Sequence, residues 1–354
     1  MTTAAGSFCV WKGRSSEGGP FRAIREKMGV MTRFRILALG VALVVLGVSC
    51  TSHATSKPTT SGSPSSTFSA QVASSDLYVG PPQDFELGIQ HSGGQGIQLV
   101  TFGTVKVHLD FLGTNGSAPV AKGDATATYI PAPGTPSGGP APTLSNPAAA
   151  RGVYSAPGMS FDTAGFWQAT ITADVTGSGT QTLTAAFTVN TSPILPAPGQ
   201  KAIPADNPII GTKGVANSAI DSRAQGGAPV PDPELHQITI RAALAQHRPI
   251  LVIFSTPVYC QSQFCGPTTD AVEALAKQYA DRAVFIHVEI YRKYGTSGAV
   301  INKAAADWLY RNNDLTEPWL YLIGADGTIL NRWGPLFDTN VVAQDLAKLP
   351  KMQQ

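Results

Sequence analysis

Apolar and polar positions alternate through the middle of the chain. In TVKVHLDFLG the apolar residues Val105, Val107 and Leu109 alternate with polar ones. The same two-residue period recurs in GFWQATITADVTG and TLTAAFTVN, and clusters of Gly, Pro, Asn and Asp separate these runs. This period is typical of half-buried strands. We therefore predict an all-β domain over residues 76–190, folded as a small immunoglobulin-like sandwich.

Helix and strand patterns alternate over residues 236–354. PILVIFST is a continuous apolar run, as in a strand that is buried on both faces. GPTTDAVEALAKQYAD has apolar residues at helical spacing. PWLYLIGADGTILNRWG predicts a hairpin around Asp326 and Gly327. The predicted order of elements is α-β-α-β-α-β-β-α.

Residues 1–50 contain a predicted export signal. In MTRFRILALGVALVVLGVSC two arginines precede an apolar run that ends in small residues and Cys50. A cysteine at this place resembles the lipidation site of bacterial lipoproteins, which predicts an acylated Cys50. The alternative is an uncleaved N-terminal anchor, although the run is short for a membrane span of about 20 residues. Either interpretation places the protein at the extracytoplasmic face of the cell membrane.

Two segments of the chain have the composition of linkers. The chain of 354 residues contains 36 Gly and 27 Pro, and only 14% of its residues are charged. Residues 51–75 are rich in Ser, Thr and Pro, which predicts a flexible tether. Residues 191–235 are rich in Pro and Gly, which predicts a linker between the two domains.

Charge and known motifs exclude several classes of function. The net charge is +2 and the basic residues are dispersed, so we expect no nucleic-acid binding. The sequence contains no P-loop, HExxH or GxSxG motif, and we expect no cofactor. Residues 1–30 do not suit an export signal, which places the expected start at Met31 or Met28 and removes Cys9. Once Cys50 is acylated, Cys260 and Cys265 are the remaining thiols, and an exported pair tends to be oxidised.

The thiols occur in STPVYCQSQFCGP, between the buried strand and the next helix. In a continuous helix, residues five positions apart are separated by a rise of about 7.5 Å and lie on different faces. A disulfide requires Cα atoms within about 7 Å of each other. We therefore predict an irregular turn over 261–264 and a helix that begins near Gly266 and Pro267. A thiol before a helix N-terminus is expected to have a lowered pKa.

This arrangement resembles the thioredoxin fold over residues 236–351. The resemblance rests on LVIFSTPVYCQSQFCGP, at the family's active-site turn, and EPWLYLIGADGTI, at its cis-proline strand. It implies a nucleophilic Cys260, a resolving Cys265 and a cis-proline at Pro318. The whole layout is similar to exported thioredoxin-like lipoproteins of actinobacterial type. The predicted fold class is thus multidomain: an all-β immunoglobulin-like sandwich followed by an α/β thioredoxin-like domain.

Three functions are compatible with this interpretation. The first is a membrane-tethered thiol–disulfide oxidoreductase that acts on thiols or disulfides of exported proteins. The second is a non-catalytic binding or scaffold lipoprotein in which Cys260 and Cys265 form a structural disulfide. The third is a copper-handling factor, in which the soft thiolates bind Cu(I) and His287 is the candidate third ligand.

Overall fold

The fold consists mainly of β-strands. The computed structural model describes residues 67–113, 118–296 and 298–352, which belong to one compact unit. The N-terminal half of this unit contains nine strands: β1 Thr67–Val72, β2 Gln83–Gly93, β3 Gly96–Thr101, β4 Thr104–Gly113, β5 Val120–Pro131, β6 Thr143–Ser145, β7 Gly152–Met159, β8 Gly165–Val175 and β9 Gly179–Val189.

These nine strands form a single antiparallel sheet. Its order is β6-β3-β2-β7-β5-β4-β8-β9, and β1 also pairs with β2. The hairpin of β8 and β9 pairs without interruption from Gly165 opposite Val189 to Val175 opposite Gly179. One sheet, curled into a half-barrel, therefore replaces the two facing sheets of a sandwich.

The prediction of an immunoglobulin-like sandwich is wrong, and irregular pairing of the long strands gives the physical reason. The register shifts in β2 between Gln83 and Phe85, and in β4 between Leu109 and Asp110. Such bulges bend a strand and increase its twist, which lets one sheet curl around its own core. The large side chains inside the curl are buried: Phe85, Leu87, Ile89, Tyr154, Phe161, Trp167 and Ile171.

The C-terminal half contains a smaller mixed sheet and short helices. Its elements are α1 Ile240–Ala245, β10 Ile250–Ser255, α2 Cys265–Tyr279, β11 Val284–Glu289, β12 Tyr291–Lys293, β13 Val300–Ile301, α3 Lys303–Leu309, β14 Trp319–Ile323, β15 Ile329–Trp333 and α4 Thr339–Lys348. The sheet order is β11-β10-β14-β15. Strands β10 and β11 are parallel, whereas β14 is antiparallel to both of its neighbours.

The predicted fold class, with its thioredoxin-like α/β domain, is contradicted. Strands make up 40% and helices 17% of the structure, which is predominantly β, and the described residues contain only four α-helices. Every residue of β10 is buried, as its apolar run predicts, and the hairpin around Gly327 forms with φ +79°. Local patterns therefore predict these elements, but they do not establish an α/β domain of that family.

The segment predicted as a linker packs closely against the rest of the unit. Leu195, Ala202 and Ala205 join the core beside β10 and β11. Both Asp76 carboxylate oxygens accept hydrogen bonds, from the backbone N–H groups of residues 194 and 195 and from Arg332 Nη1 at 2.8 Å. Arg332 and Asp76 are nearly inaccessible, with side-chain exposures of 7% and 2%. This buried ion pair joins β15 to the chain that precedes β2.

The N-terminal predictions fall largely outside the described residues. The export signal, Cys50 and most of the tether lie before residue 67. Strand β1 lies within the segment predicted as a tether, where it pairs with β2. Within residues 67–113, 118–296 and 298–352, no helix is both long and apolar enough to cross a membrane.

Candidate functional site: a thiol pair beside a buried glutamate

The candidate site lies at the carboxyl end of β10. The chain leaves the sheet at Thr256, and the Cys260 backbone N–H donates to the Thr256 carbonyl oxygen at 3.1 Å. Residues 260–264 are not helical, and Gln263 has a positive φ of +62°. Helix α2 begins at Cys265. The predicted turn between the cysteines is thus confirmed, and the helix begins one residue before Gly266.

The structure brings the two thiols together beside Glu317. The two sulfur atoms and one Glu317 carboxylate oxygen all lie within 4.8 Å of one another. Both cysteines are free. Cys260 is partly exposed, whereas Cys265 is fully buried. A reagent from solvent therefore meets Cys260 first.

The surroundings of Cys260 stabilise its thiolate. The Cys265 thiol donates a hydrogen bond to Cys260, which is the main influence lowering the Cys260 pKa. Ser262 Oγ, 3.1 Å from the sulfur, adds a second hydrogen bond. The backbone N–H groups of Phe264 and Cys265 also donate to this sulfur. Although burial opposes the thiolate, these donors lower the pKa from 9.0 to about 6.

The surroundings of Cys265 and Glu317 destabilise the charged forms of these side chains. Burial raises the pKa of Cys265 well above its usual value, and the neighbouring Cys260 and Glu317 charges add to the rise. Burial likewise raises the pKa of Glu317, and the charges of Cys260 and Glu289 raise it further. Glu317 Oε2 is buried without a hydrogen-bond partner among the described residues. The site therefore combines one stabilised thiolate with a thiol and a carboxyl group that both hold their protons more tightly than usual.

Glu317 and Pro318 lie directly before β14. The peptide bond between Glu317 and Pro318 is cis, and β14 begins at the next residue, Trp319. Because β14 pairs with β10, its first residues lie at the same end of the sheet as the thiol turn. The sequence resemblance implied a cis-proline here but gave Glu317 no role.

The residues between the cysteines are anchored to the large β-sheet. Phe264 is buried in a cluster with Ala132, Val153 and Leu336. Arg151 Nη1 donates to Gln263 Oε1. Local sequence does not reveal this anchor, because Phe264 and its partners are far apart in the chain.

Aromatic side chains lie beside the turn that carries the thiols. Tyr259 stacks on Tyr294 with ring centroids 4.4 Å apart, and Tyr291 packs against Tyr294 at 4.9 Å. A small depression of about 20 Å³ lies between these rings, Ser262 and Glu317. It is too small to enclose a small-molecule ligand.

The histidine considered as a copper ligand lies in a different cluster. His287 is buried in β11 with its Nδ1 3.3 Å from Asp221 Oδ2. Its ring also contacts that of His236, with centroids 5.1 Å apart. The structure does not group His287 with the two thiols. The predicted lipidation residue, Cys50, lies outside the described residues.

Comparison with known proteins does not supply a family. No family model matches the chain, and no curated protein or solved structure matches it significantly. The resemblance to exported thioredoxin-like lipoproteins with an immunoglobulin-like module is therefore contradicted: it finds no relative, and the structure is mostly β. The function has to be argued from the thiol site itself.

Proposed function

We propose that the protein is a thiol–disulfide oxidoreductase with Cys260 as the nucleophile and Cys265 as the resolving thiol. The observation that carries this proposal is the asymmetric pair: two free thiols in hydrogen-bond contact, one accessible and one buried. Thiolate is the attacking species in disulfide exchange, so the site has an attacking sulfur and a protected second sulfur.

The exchange proceeds in two balanced steps. Cys260 thiolate attacks one sulfur of a substrate disulfide, whose other sulfur leaves as a thiolate. Cys265 then loses its proton and attacks Cys260 Sγ, which releases the second substrate thiolate. The substrate gains two electrons, and the protein retains a Cys260–Cys265 disulfide. When the pair starts oxidised, the same steps run in reverse and oxidise a substrate dithiol.

Glu317 is placed to exchange the Cys265 proton. Its carboxylate lies within 4.8 Å of both sulfurs, and its raised pKa brings it closer to the operating pH than an exposed glutamate. A general base is most effective when its pKa is near that pH. As the Cys260 charge disappears in the mixed disulfide, one cause of the raised Glu317 pKa disappears as well.

The proposed substrates are thiols and disulfides of exported proteins. The sequence pattern over residues 31–50 supports export and tethering at the membrane. The depression beside the thiol turn is too small to enclose a small molecule, which favours a protein substrate. Tyr259 and Tyr294 border this depression.

A pair of matched serine variants tests the proposal. With a small peptide disulfide, Cys265→Ser should accumulate a stable mixed disulfide at Cys260, because the resolving thiol is absent. Cys260→Ser should form none, since its remaining thiol is buried and neutral. Mass spectrometry under non-reducing conditions measures both products. Equal labelling of the two variants, or none in Cys265→Ser, would contradict the assigned roles.

A further inference from the structure

Three buried polar side chains converge at a second place in the C-terminal half. Asp221 follows the 3₁₀ helix Asn217–Ala219, His236 ends the 3₁₀ helix Pro233–His236, and His287 lies in β11. All three are fully buried. Asp221 Oδ2 is 3.3 Å from His287 Nδ1 and 3.7 Å from His236 Nε2. One donor atom from each residue lies within 4.8 Å of the others.

The hydrogen bonds of His287 leave a lone pair facing the carboxylate. His287 Nε2 lies 3.3 Å from the Ser255 carbonyl oxygen, which can only accept, so a proton is assigned to Nε2. In this tautomer Nδ1 carries a lone pair and faces Asp221. Despite the short distance, no hydrogen bond joins the two atoms. A buried acceptor that lacks a hydrogen-bond donor destabilises the folded protein.

The imidazole of His236 is also buried, with no hydrogen bond to the described part of the chain. Neither of its ring nitrogens has a hydrogen-bond partner among the described residues, and its side chain is fully buried. Two imidazoles with unpartnered nitrogens therefore face one carboxylate, whose Oδ2 already accepts a hydrogen bond from Arg223 Nη2 at 2.7 Å. A cation placed between the three side chains would give both imidazoles a partner.

The separations fit the ligands of one metal ion. With bonds of about 2.0–2.2 Å to nitrogen and oxygen, neighbouring ligands of a tetrahedral zinc lie roughly 3.3–3.6 Å apart. The two distances from Asp221 Oδ2 are 3.3 and 3.7 Å. Metal-bound histidines commonly donate their other ring N–H to a backbone carbonyl, as His287 does to Ser255.

The carboxylate is held in a fixed orientation. Asp221 Oδ1 accepts from the Arg223 backbone N–H at 2.8 Å and from Arg223 Nε at 3.0 Å. Arg223 also contacts Asp232 and Asp270. The carboxylates of Asp221, Asp232 and Asp270 outnumber the single guanidinium of Arg223, and this excess of acidic groups favours a cation over an anion.

We propose that Asp221, His236 and His287 bind one divalent transition-metal ion of the zinc type. The ion would join the 217–236 segment to β11, which gives the site a structural role. Ser222, the residue after Asp221, donates its backbone N–H to Glu289 Oε2, and its Oγ accepts from the Val258 backbone N–H. The metal site is therefore one residue away from a contact with the thiol turn.

Metal binding to the purified, tag-free full chain tests this proposal. After chelation and reloading with Zn²⁺, we expect one bound ion per chain by mass spectrometry of the metal. The C260S/C265S variant should bind the same amount, whereas Asp221→Asn and His287→Gln should each bind at least tenfold more weakly. The surface variant His108→Gln is the matched control and should bind as the unaltered chain does.

Cobalt substitution tests the ligands without relying on variants that could misfold. Co²⁺ bound to the C260S/C265S chain should show the strong visible bands of a tetrahedral site with nitrogen and oxygen ligands. Zn²⁺ should displace it and should raise the temperature of unfolding. Failure of this chain to bind either metal, or a Co²⁺ spectrum of free octahedral ion, would overturn the proposal.

Discussion

The low pKa of Cys260 predicts how fast the reduced protein reacts with a small aromatic disulfide at different pH values. With the pKa lowered from 9.0 to about 6, about 90% of Cys260 is thiolate at pH 7, against about 1% for an unperturbed thiol. The thiolate population is therefore about 90-fold larger. Nucleophilicity falls with pKa, with a Brønsted coefficient of about 0.4–0.5, so three pKa units cost about 16- to 30-fold.

The two effects nearly cancel at pH 7 but not in acid. The net advantage over an unperturbed thiol is about 3- to 6-fold at pH 7, and it grows to about 25- to 50-fold at pH 5.5. The shape of the pH profile is therefore more informative than the rate at one pH. For Cys260 we expect a rate that is half-maximal near pH 6 and constant above pH 7.5.

Stopped-flow spectroscopy of the first thiol release measures this profile. Cys265→Ala removes the hydrogen-bond donor with the largest influence on this pKa, so its midpoint should move to higher pH. Ser262→Ala should move it in the same direction by less, because Ser262 is a smaller influence. A wild-type rate that continues to rise tenfold per pH unit up to pH 8.5 would refute the thiolate argument.

Three further perturbations follow from the contacts of the site and the core. Asp76→Ala leaves Arg332 buried without its partner, so urea titration should show a free energy of unfolding that is lower by about 3–5 kcal/mol. The control Lys201→Ala removes one partner of an exposed ion pair and should change this free energy by less than about 0.5 kcal/mol. Phe264→Ala should cost about 3–5 kcal/mol in the same titration, and a cost below about 1 kcal/mol would show that the anchor is unimportant. Glu317→Gln should leave the first thiol release unchanged and slow the second at least tenfold, and an unchanged second phase would remove its proton-transfer role.

Short-range patterns were sufficient for the individual elements of the C-terminal half. The apolar run at 250–255 forms a fully buried strand. The distance limit on a disulfide predicted that the chain between Cys260 and Cys265 could not be helical, and helix α2 begins at Cys265. These predictions succeed because they depend on neighbouring residues and on backbone geometry.

The assembly of those elements could not be predicted in the same way. Bulges such as the one in β5 opposite Leu109 and Asp110 bend a strand and increase its twist, which favours a curled sheet. Alternation of apolar residues is the same in a curled sheet and in a sandwich, so the sandwich prediction failed. The thioredoxin resemblance rested on two short motifs, which describe a turn and a strand but not the fold of the whole chain.

The site residues that the sequence did not assign come from distant segments. Glu317 is 52 positions from Cys265 but lies beside both sulfurs, because β14 pairs with β10. Asp221 was placed in a linker, yet it is fully buried against His236 and His287. A charged residue such as Asp221, followed two positions later by an arginine, has no local pattern that distinguishes burial from exposure.

The reduction potential of the Cys260–Cys265 pair tests the central claim most directly. A stabilised Cys260 thiolate favours the reduced protein, so exchange-active thiols have less negative potentials than structural disulfides. Equilibration of the purified full chain with dithiol buffers of known potential, followed by alkylation and mass spectrometry, gives the midpoint. We expect a reversible two-electron transition at a potential above about −300 mV. A midpoint below that value, or no intramolecular disulfide at all, would contradict the oxidoreductase function.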